Sequence, residues 1–267
     1  MQTDRGTLIY AVRDSEGLIE VIDHDGTRSL YFGTRARQSS MLLYAPATLA
    51  LEYTRSMLAG LLFQPRPRRV LMIGLGGGSL ARYFLAHFPE TVIDCVETRA
   101  GVIDMARRYF QLPDTDLLRI HIEDGAKFLH KAPDRHYDLI LVDAYDSSGV
   151  HPNVCPSSFH TDCRRALTDS GVLSMNLWIT PGSGYKTILT DMQQGFDSQV
   201  LRLPVEQRAN LIALGLCVPH SRKELKALRD PARELMAKYD LDFPKMLRRM
   251  EHYNSGLMRR FINLHLR

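Results

Sequence analysis

Residues 69–80 have the sequence RVLMIGLGGGSL, an apolar run that passes directly into four glycines within five positions. The apolar run is typical of a parallel strand covered on both faces. The glycines let the backbone turn tightly and approach a ligand, and Ser79 is predicted to be the N-cap of the next helix. A strand, a glycine turn and a helix N-terminus in this order predict a nucleotide or nucleoside site. A tight turn without a ligand is the alternative.

Acidic residues follow the next three predicted strands. These strands are predicted at residues 91–97, 118–122 and 137–142. Glu97 lies roughly 20 residues past the glycines, where an acid reaches the ribose hydroxyls of a bound nucleoside. Asp124 and Asp143 follow the other two strands. One acid after a strand is commonly a helix cap, but a series at the carboxyl ends of parallel strands predicts a binding crevice.

This order of motifs resembles the spermidine synthase family, the polyamine aminopropyltransferases, over about residues 18–215. In that family a glycine-rich turn, an acid after the second strand, an Asp-Gly after the third and a D-x-x-D after the fourth surround decarboxylated S-adenosylmethionine and a polyamine. The resemblance implies aminopropyl transfer to an amine such as putrescine. It also implies an adenosyl co-substrate, either decarboxylated S-adenosylmethionine or S-adenosylmethionine, and no metal.

The predicted fold class is α/β. Seven strands alternating with helices fit a Rossmann-like sheet of the class I methyltransferase type, which the resembled family shares. A small N-terminal antiparallel β-unit and C-terminal helices complete the prediction.

The resemblance also implies roles for individual residues. Glu97 corresponds to the ribose-binding acid, Asp124 to the adenine-contacting acid and Asp143 to the catalytic aspartate. The other implied nucleoside contacts are Gln38, Gly74, Gly76, Gly78 and Gly125, and the implied amine contacts are Tyr53, Tyr145 and Asp146. Two neighbouring acids, Asp143 and Asp146, suit a polycation better than one.

Three departures from the family pattern make this a divergent branch. Gly77 stands where the family has an aspartate that anchors the aminopropyl ammonium. Thr98 and Arg99 replace the usual acid after the ribose-binding residue. The two serines of the family's D-S-S-D motif have become Ala144 and Tyr145.

Three functions therefore stay open: aminopropyl transfer, methyl transfer from S-adenosylmethionine, and nucleoside binding without catalysis. Met72 favours the first, because methyltransferases commonly carry an acid two residues before the first glycine. Gly77 favours the second, because a missing acid removes repulsion against the carboxylate of intact S-adenosylmethionine. A nicotinamide oxidoreductase is disfavoured, since Ser79 occupies the third glycine position of the dinucleotide fingerprint.

The composition is that of a globular protein, with 267 residues, 45% hydrophobic and 24% charged. We see no signal-peptide pattern and no membrane-spanning apolar run, so the cytoplasm is expected, with no membrane partner. Four cysteines do not suggest a disulfide framework, and Cys95 and Cys217 are predicted to be buried in strands. The histidines and cysteines at positions 151, 155, 160 and 163 lack a C-x-x-C ligand pair, so no metal is expected.

Three regions are predicted along the chain. Residues 1–66 form the β-unit, with alternation over 8–31 and a hairpin turn at Asp25-Gly26, followed by a helix from Pro46 to about Phe63. Residues 67–218 form the nucleoside-binding domain, and residues 219–267 a helical extension of it.

The extension carries 12 lysines and arginines against six acids. Amphipathic helices with a solvated basic face are predicted there, in preference to a nucleic-acid surface, since no aromatic-interleaved basic groove is visible. No nucleic-acid partner is therefore expected. The resemblance implies a homodimer.

Overall fold

The computed structural model describes residues 2–145, 149–180, 182–206 and 208–264, with the helical backbone alone over 256–264. Asp146, an expected amine-binding acid, lies outside the described residues. The chain forms two β-sheets with helices on both faces of the larger one, which confirms the predicted fold class.

The N-terminal sheet is antiparallel, and its strands lie in chain order. They are β1 (Gln2–Thr3), β2 (Gly6–Asp14), β3 (Gly17–His24), β4 (Thr27–Tyr31), β5 (Arg37–Leu42) and β6 (Ala45–Leu49). Asp25 and Gly26 join β3 to β4 with positive φ angles of 45° and 69°, as a two-residue hairpin turn requires. The hairpin prediction is therefore confirmed, within a larger unit than the alternation indicates.

The prediction of a helix beginning at Pro46 is wrong. Pro46 lies in β6, at the edge of the sheet, where a residue without an N–H group interrupts no ladder. Its carbonyl oxygen accepts a hydrogen bond from Arg82 Nε at 3.0 Å. The helix α1 (Glu52–Met57) begins later and continues into a 3₁₀ turn, Leu58–Leu62.

The central sheet has seven strands in the order β12-β13-β11-β10-β7-β8-β9. They are β7 (Arg69–Ile73), β8 (Val92–Glu97), β9 (Leu118–Ile122), β10 (Tyr137–Val142), β11 (Leu167–Trp178), β12 (Val200–Pro204) and β13 (Asn210–Leu216). The strands β7 to β11 pair in parallel, and β13 is antiparallel to both of its neighbours. Because the chain leaves β7 toward β8 and later returns to its other side with β10, the strand order reverses between β7 and β10. Open α/β sheets bind ligands at such a switch point.

Both faces of the central sheet are buried, which explains the continuous apolar run of β7. Val70 and Met72 belong to one hydrophobic cluster, and Leu71 and Ile73 to another on the opposite face, because successive strand side chains alternate. The helices that connect the strands are α2 (Ser79–His87), α3 (Ala100–Tyr109), α4 (Gly125–Lys131), α5 (Ser157–Ala166) and α6 (Tyr185–Gly195).

Two local predictions need correction. Ser79 is the first residue of α2 and does not cap it, because Gly78 takes the N-cap position in the left-handed conformation, with φ of 73°. The Ser79 hydroxyl donates instead to the carbonyl oxygen of Ser40 at 3.1 Å. Cys95 is buried in β8 as predicted, but Cys217 lies one residue beyond β13 and is half-buried.

The C-terminal region is helical, as predicted, and packs on the central sheet. It comprises α7 (Arg222–Ala227), α8 (Arg229–Tyr239) and α9 (Phe243–Leu264). Phe243 and Met250 are buried in the same cluster as β7. Asn254, also buried, accepts from the Arg202 amide at 3.0 Å and donates to the Arg202 carbonyl at 2.8 Å. Its side chain thus binds both backbone groups of one residue of β12.

Within the described part of the chain, no helix combines the length and the apolar character needed to cross a membrane. The division of the chain at residues 66 and 218 stays a prediction.

Candidate active site

A cavity of about 850 Å³ opens at the carboxyl ends of β7, β8, β9 and β10. It lies at the switch point between β7 and β10, where the topology favours a ligand. The N-terminal sheet contributes one wall, through residues that include Phe32, Gln38 and Ser39. The cavity therefore needs both sheets.

The glycine turn brings β7 and β10 together at this end of the sheet. Gly74 has φ of 96°, and a Cβ at this position would overlap the carbonyl oxygen of Asp143. The Asp143 amide donates to the carbonyl oxygen of Ile73 at 2.9 Å. Gly74 and Gly76 line the cavity, whereas Gly78 does not, because the place of its missing Cβ faces Leu112.

Gly77 also lies outside the cavity wall. A Cβ at this position would lie 2.9 Å from both the Phe110 ring and the Ser39 hydroxyl oxygen. Real Cβ atoms do not approach other atoms so closely, so an aspartate at this position, where the resembled family has one, would require the Phe110 ring or the Ser39 hydroxyl to move. The absence of a side chain at residue 77 is built into the surrounding packing.

The side chain of Arg82 holds the glycine turn in place, a role that the sequence did not predict. Its guanidinium is buried and donates to the carbonyl oxygens of Gly77, Phe110 and Pro46, the last two at 2.7 and 3.0 Å. Burial lowers the pKa of Arg82 to about 10. Among the residues that the structure describes, no carboxylate pairs with it. One cation thus holds the glycine turn, the end of α3 and β6 together.

Glu97 lies at the end of β8 and is tied to the glycine turn. Its Oε2 accepts from the Leu75 amide at 3.1 Å, and its Oε1 accepts from the Arg99 amide at 3.0 Å. Burial raises the pKa of Glu97, although both of these hydrogen bonds oppose the rise. The Thr98 hydroxyl also donates to Oε1, at 3.4 Å. A carboxylate has about four acceptor sites, so acceptor capacity remains for a ligand hydroxyl.

Arg99, a departure from the family pattern, joins the two sheets. Its guanidinium binds both carboxylate oxygens of Asp14 at 2.8 and 3.1 Å and stacks over the Phe32 ring at 4.6 Å. Asp14 lies at the end of β2. The loop that carries Glu97 is therefore anchored to the N-terminal sheet.

Asp124 has a structural role as well as a place on the cavity wall. It is the N-cap of α4, with Oδ1 accepting from the Lys127 amide at 3.0 Å, and its Oδ2 accepts from Asn153 Nδ2 at 2.8 Å. Burial alone would raise the pKa of Asp124, but these hydrogen bonds outweigh it and lower the pKa. Gly125 also lines the cavity, and a Cβ there would overlap the Ile73 side chain, so its smallness serves packing.

Asp143 follows β10 directly and lines the cavity. Its Oδ1 accepts from Asn176 Nδ2 at 2.9 Å. Burial raises the pKa of Asp143, and the nearby Asn176 amide and Tyr53 hydroxyl oppose this only in part. A carboxyl with a raised pKa is a stronger base than an exposed carboxylate, which suits it to accept a proton.

Aromatic side chains surround Asp143. Tyr53, on α1, donates to the carbonyl oxygen of Gln38 at 3.1 Å, and both residues line the cavity. Tyr145 donates to the Asn176 carbonyl at 2.9 Å, and its ring lies 4.8 Å from that of Trp178. The structure therefore brings Gln38, Tyr53 and Tyr145 together around Asp143, beside the glycine turn.

The histidines and cysteines weighed as metal ligands lie in different surroundings. His151 lines the cavity, whereas His160 and Cys163 are buried on α5. Both ring nitrogens of His160 are buried, and burial lowers its pKa to about 4. Residues 2–145, 149–180, 182–206 and 208–264 contain no group of three or more potential ligands that could hold a metal ion.

Sequence analysis missed Asn176, Asn210, Trp178 and Arg82. Only Asn176 had a signal that could have identified it, since it is a polar residue within the apolar strand sequence VLSMNLW. Buried polar side chains need hydrogen-bond partners. An amide on a buried face near the end of a strand therefore indicates a neighbour that requires one.

Comparison with known proteins places these features in context. The model of the spermine/spermidine synthase domain matches residues 52–199. The polyamine aminopropyltransferase of Chromobacterium violaceum is 33% identical over 238 residues, which cover 89% of this chain and 90% of that protein. A probable spermidine synthase from Corynebacterium glutamicum has a similar structure, with a TM-score of 0.72 and 20% identity over 86% of this chain and 88% of that one. Human methyltransferase-like protein 13 in complex with SAH has a TM-score of 0.62 and 25% identity over 71% of this chain and 94% of that one.

Proposed function

The chain belongs to the spermine/spermidine synthase family, and on that premise we propose that it transfers an aminopropyl group from decarboxylated S-adenosylmethionine to a small amine. The observation that carries the proposal is the place of Asp143, a half-buried acid whose backbone abuts the glycine turn and which lines the same cavity as Glu97. A proton acceptor thus lies next to the predicted nucleoside site.

The proposed reaction is a displacement at carbon. A neutral primary amine attacks the methylene next to the sulfonium, the new C–N bond forms, and the C–S electron pair leaves with the sulfur of methylthioadenosine. A free alkylamine is protonated near neutral pH, with a reference pKa of about 10.4 for lysine. Asp143 holds the ammonium and then accepts its proton. Alignment of nucleophile and leaving group supplies the rest of the catalysis.

Glu97 and the glycine turn are the proposed donor site. Glu97 binds the two ribose hydroxyls with the acceptor capacity that its hydrogen bonds within the protein leave free. Asp124 contacts the adenine amino group with Oδ2, alongside Asn153. Gly74, Gly76 and Gly125 allow the nucleoside to approach the backbone, and Gln38 lies on the facing wall.

Methyl transfer from S-adenosylmethionine is the second candidate function. The observation that favours it is the packing around Gly77, because Phe110 and Ser39 crowd the position where the family has the acid that binds an aminopropyl ammonium. The similarity to a methyltransferase in complex with SAH points the same way.

Calorimetric titration with three nucleosides separates these functions. Tighter binding of decarboxylated S-adenosylmethionine than of S-adenosylmethionine supports aminopropyl transfer, and the reverse order supports methyl transfer. Methylthioadenosine is the third ligand, and binding of none of the three rejects both functions. Transfer is then assayed with putrescine and longer diamines, and donor binding without any product would indicate a non-catalytic nucleoside-binding protein.

The homodimer, the cytoplasmic location and the lack of a nucleic-acid partner stay predictions. Light scattering on the purified chain tests the first of them.

A further inference from the structure

The side chains of Asn210, Asn176 and Asp143 form a chain of hydrogen bonds that ends at the proposed amine site. Asn210 Nδ2 donates to Asn176 Oδ1 at 3.0 Å, and Asn176 Nδ2 donates to Asp143 Oδ1 at 2.9 Å. The three residues belong to the ends of the neighbouring strands β13, β11 and β10. The chain of donors therefore runs in one direction, toward the carboxylate.

The direction of this chain is determined at its two ends, by Asp143, whose ionised carboxylate can only accept, and by Asn210, which donates. A carboxamide can present either its oxygen or its NH₂ group to a neighbour. Because Asn210 donates to the Asn176 oxygen, Asn176 is left with its NH₂ group toward Asp143. Asn176 is only 2% exposed, so turning the amide over would bring two donors together at one end and two acceptors at the other.

We infer that Asn176 and Asn210 are positioning residues for Asp143. Together they favour the ionised carboxylate and fix its Oδ1, so that Oδ2 remains for the ammonium of the acceptor amine. The catalytic part of this inference rests on the proposed function, whereas the effect on Asp143 ionisation does not. Neither asparagine needs to touch a substrate for this role.

Two influences act on the pKa of Asp143 in opposite directions, and burial is the larger. Burial raises the pKa of Asp143, and the hydrogen bond from Asn176 lowers it. In the described part of the chain, the titratable groups that face Asp143 are Tyr53, from α1, and Tyr145, which follows β10. Burial raises the pKa of both tyrosines, so both stay neutral near pH 7 and neither titrates in the acidic range together with Asp143.

Three variants test the direction of the chain. Asn176→Leu removes the donor to Asp143. Asn210→Leu removes the group that orients Asn176. Asn210→Asp replaces a donor by an acceptor, so Asn176 turns its NH₂ group toward residue 210 and its oxygen toward Asp143, and that oxygen can accept only from a protonated carboxyl.

Ser174→Ala is the matched control. Ser174 is buried on the same strand and donates to the Met57 carbonyl at 2.7 Å, away from Asp143. Loss of this hydrogen bond is expected to lower stability and to leave the titration of Asp143 unchanged.

The direct readout is the carboxyl ¹³C resonance of Asp143 in protein labelled at the aspartate side chains, assigned by its loss in Asp143→Asn. We expect its titration midpoint to move to higher pH in Asn176→Leu and Asn210→Asp, and by less in Asn210→Leu. A merely structural role predicts no such order. A midpoint in Asn176→Leu or Asn210→Asp equal to that of wild type would overturn the inference, even if the enzyme proves inactive.

Turnover is the second readout. If wild type transfers an aminopropyl group, kcat of Asn176→Leu should fall roughly 10- to 100-fold through loss of alignment, with the affinity for methylthioadenosine unchanged. An unchanged kcat contradicts the positioning role. No transfer by wild type to any amine counts against the proposed function, while the resonance still decides the inference. Should Asn176→Leu not fold, the two Asn210 variants give the same decision.

Discussion

The amide of Leu75, inside the glycine turn, donates to Oε2 of Glu97 at 3.1 Å. This hydrogen bond joins residues at the ends of two neighbouring strands, β7 and β8. The acid is therefore held over the turn before any ligand arrives. Ribose hydroxyls would meet a carboxylate whose position is already fixed, which limits the ordering that binding requires.

Glu97→Ala is expected to weaken methylthioadenosine and both donor nucleosides by a similar factor. Hydrogen bonds to a charged group are worth about 1.5–3 kcal/mol, or roughly 10- to 100-fold in affinity. Calorimetry measures the loss. The control is Glu123→Ala, since Glu123 follows the next strand and lines the cavity but pairs with Lys131 at 2.5 Å. Equal affinity of wild type and folded Glu97→Ala for methylthioadenosine would show that Glu97 does not bind the nucleoside.

Asp143→Asn is expected to lower turnover by roughly 10²- to 10⁴-fold, the usual contribution of a general base. Asparagine keeps the shape and can still cap a turn, but it cannot accept a proton or neutralise an ammonium. Nucleoside affinity should be retained. A variant that turns over like wild type would show that Asp143 has only a structural role in the turn that follows β10.

The pH dependence of turnover gives an independent test of Asp143. A base works in its ionised form, and burial raises the pKa of Asp143. Activity should therefore fall on the acidic side at a higher pH than an exposed carboxyl would give. Pre-steady-state assays at saturating donor and amine measure the acidic limb of the pH–rate profile. A midpoint in the pH range of an exposed carboxyl would contradict the assignment of Asp143 as the base.

Gly77→Asp is expected to shift preference toward the decarboxylated donor, because the new carboxylate pairs with an ammonium and repels a carboxylate. It should also cost stability, since its Cβ would lie 2.9 Å from Phe110 and Ser39. Gly77→Ala adds the same Cβ without the charge and is the matched control. Calorimetry with both donors gives the ratio of affinities, and the same ratio in both variants would mean that the donor tail lies elsewhere.

The positions of the principal acids could be predicted from sequence because each depends on local features. Asp143 directly follows the apolar run at residues 139–142, and Glu97 and Asp124 follow shorter segments of strand-like, partly apolar sequence that also indicate where a strand stops. The carboxyl ends of parallel strands share one edge of the sheet, so these acids had to lie close together. Local periodicity and one topological rule were sufficient.

The remaining site residues could not be predicted, because their roles depend on contacts distant in sequence. Arg82 binds β6 and the end of α3, and Asn176 lies between two other strands. Pro46 was misinterpreted for the same reason. Proline is compatible with the first turn of a helix and with an edge strand, and only the assembled sheet shows that β6 is an edge.

His160 provides a stability prediction. Its pKa is lowered from 6.5 to about 4 by burial, so the unfolded chain takes up a proton at a higher pH than the native chain does. The stability associated with neutral His160 is complete above pH 6.5 and decreases as the pH falls toward 4, by about 3 kcal/mol in total.

His160→Leu should remove this dependence, measured as the free energy of urea unfolding at pH 7, 5.5 and 4.5. His252→Gln, at an exposed position on α9, should retain it. If His160→Leu loses as much stability as wild type between pH 7 and 4.5, another group is responsible.

The two hydrogen bonds between Asn254 and Arg202 also bear on how two copies of the chain can associate. β12 is the outermost strand of the central sheet on that side, and an unpaired outer strand is a template for a strand from another molecule. The Asn254 amide occupies the amide and carbonyl groups that such a strand would need at Arg202. A continuous sheet running through β12 of both copies would require α9 to be displaced. The predicted homodimer is therefore expected to use a surface other than the outer edge of β12.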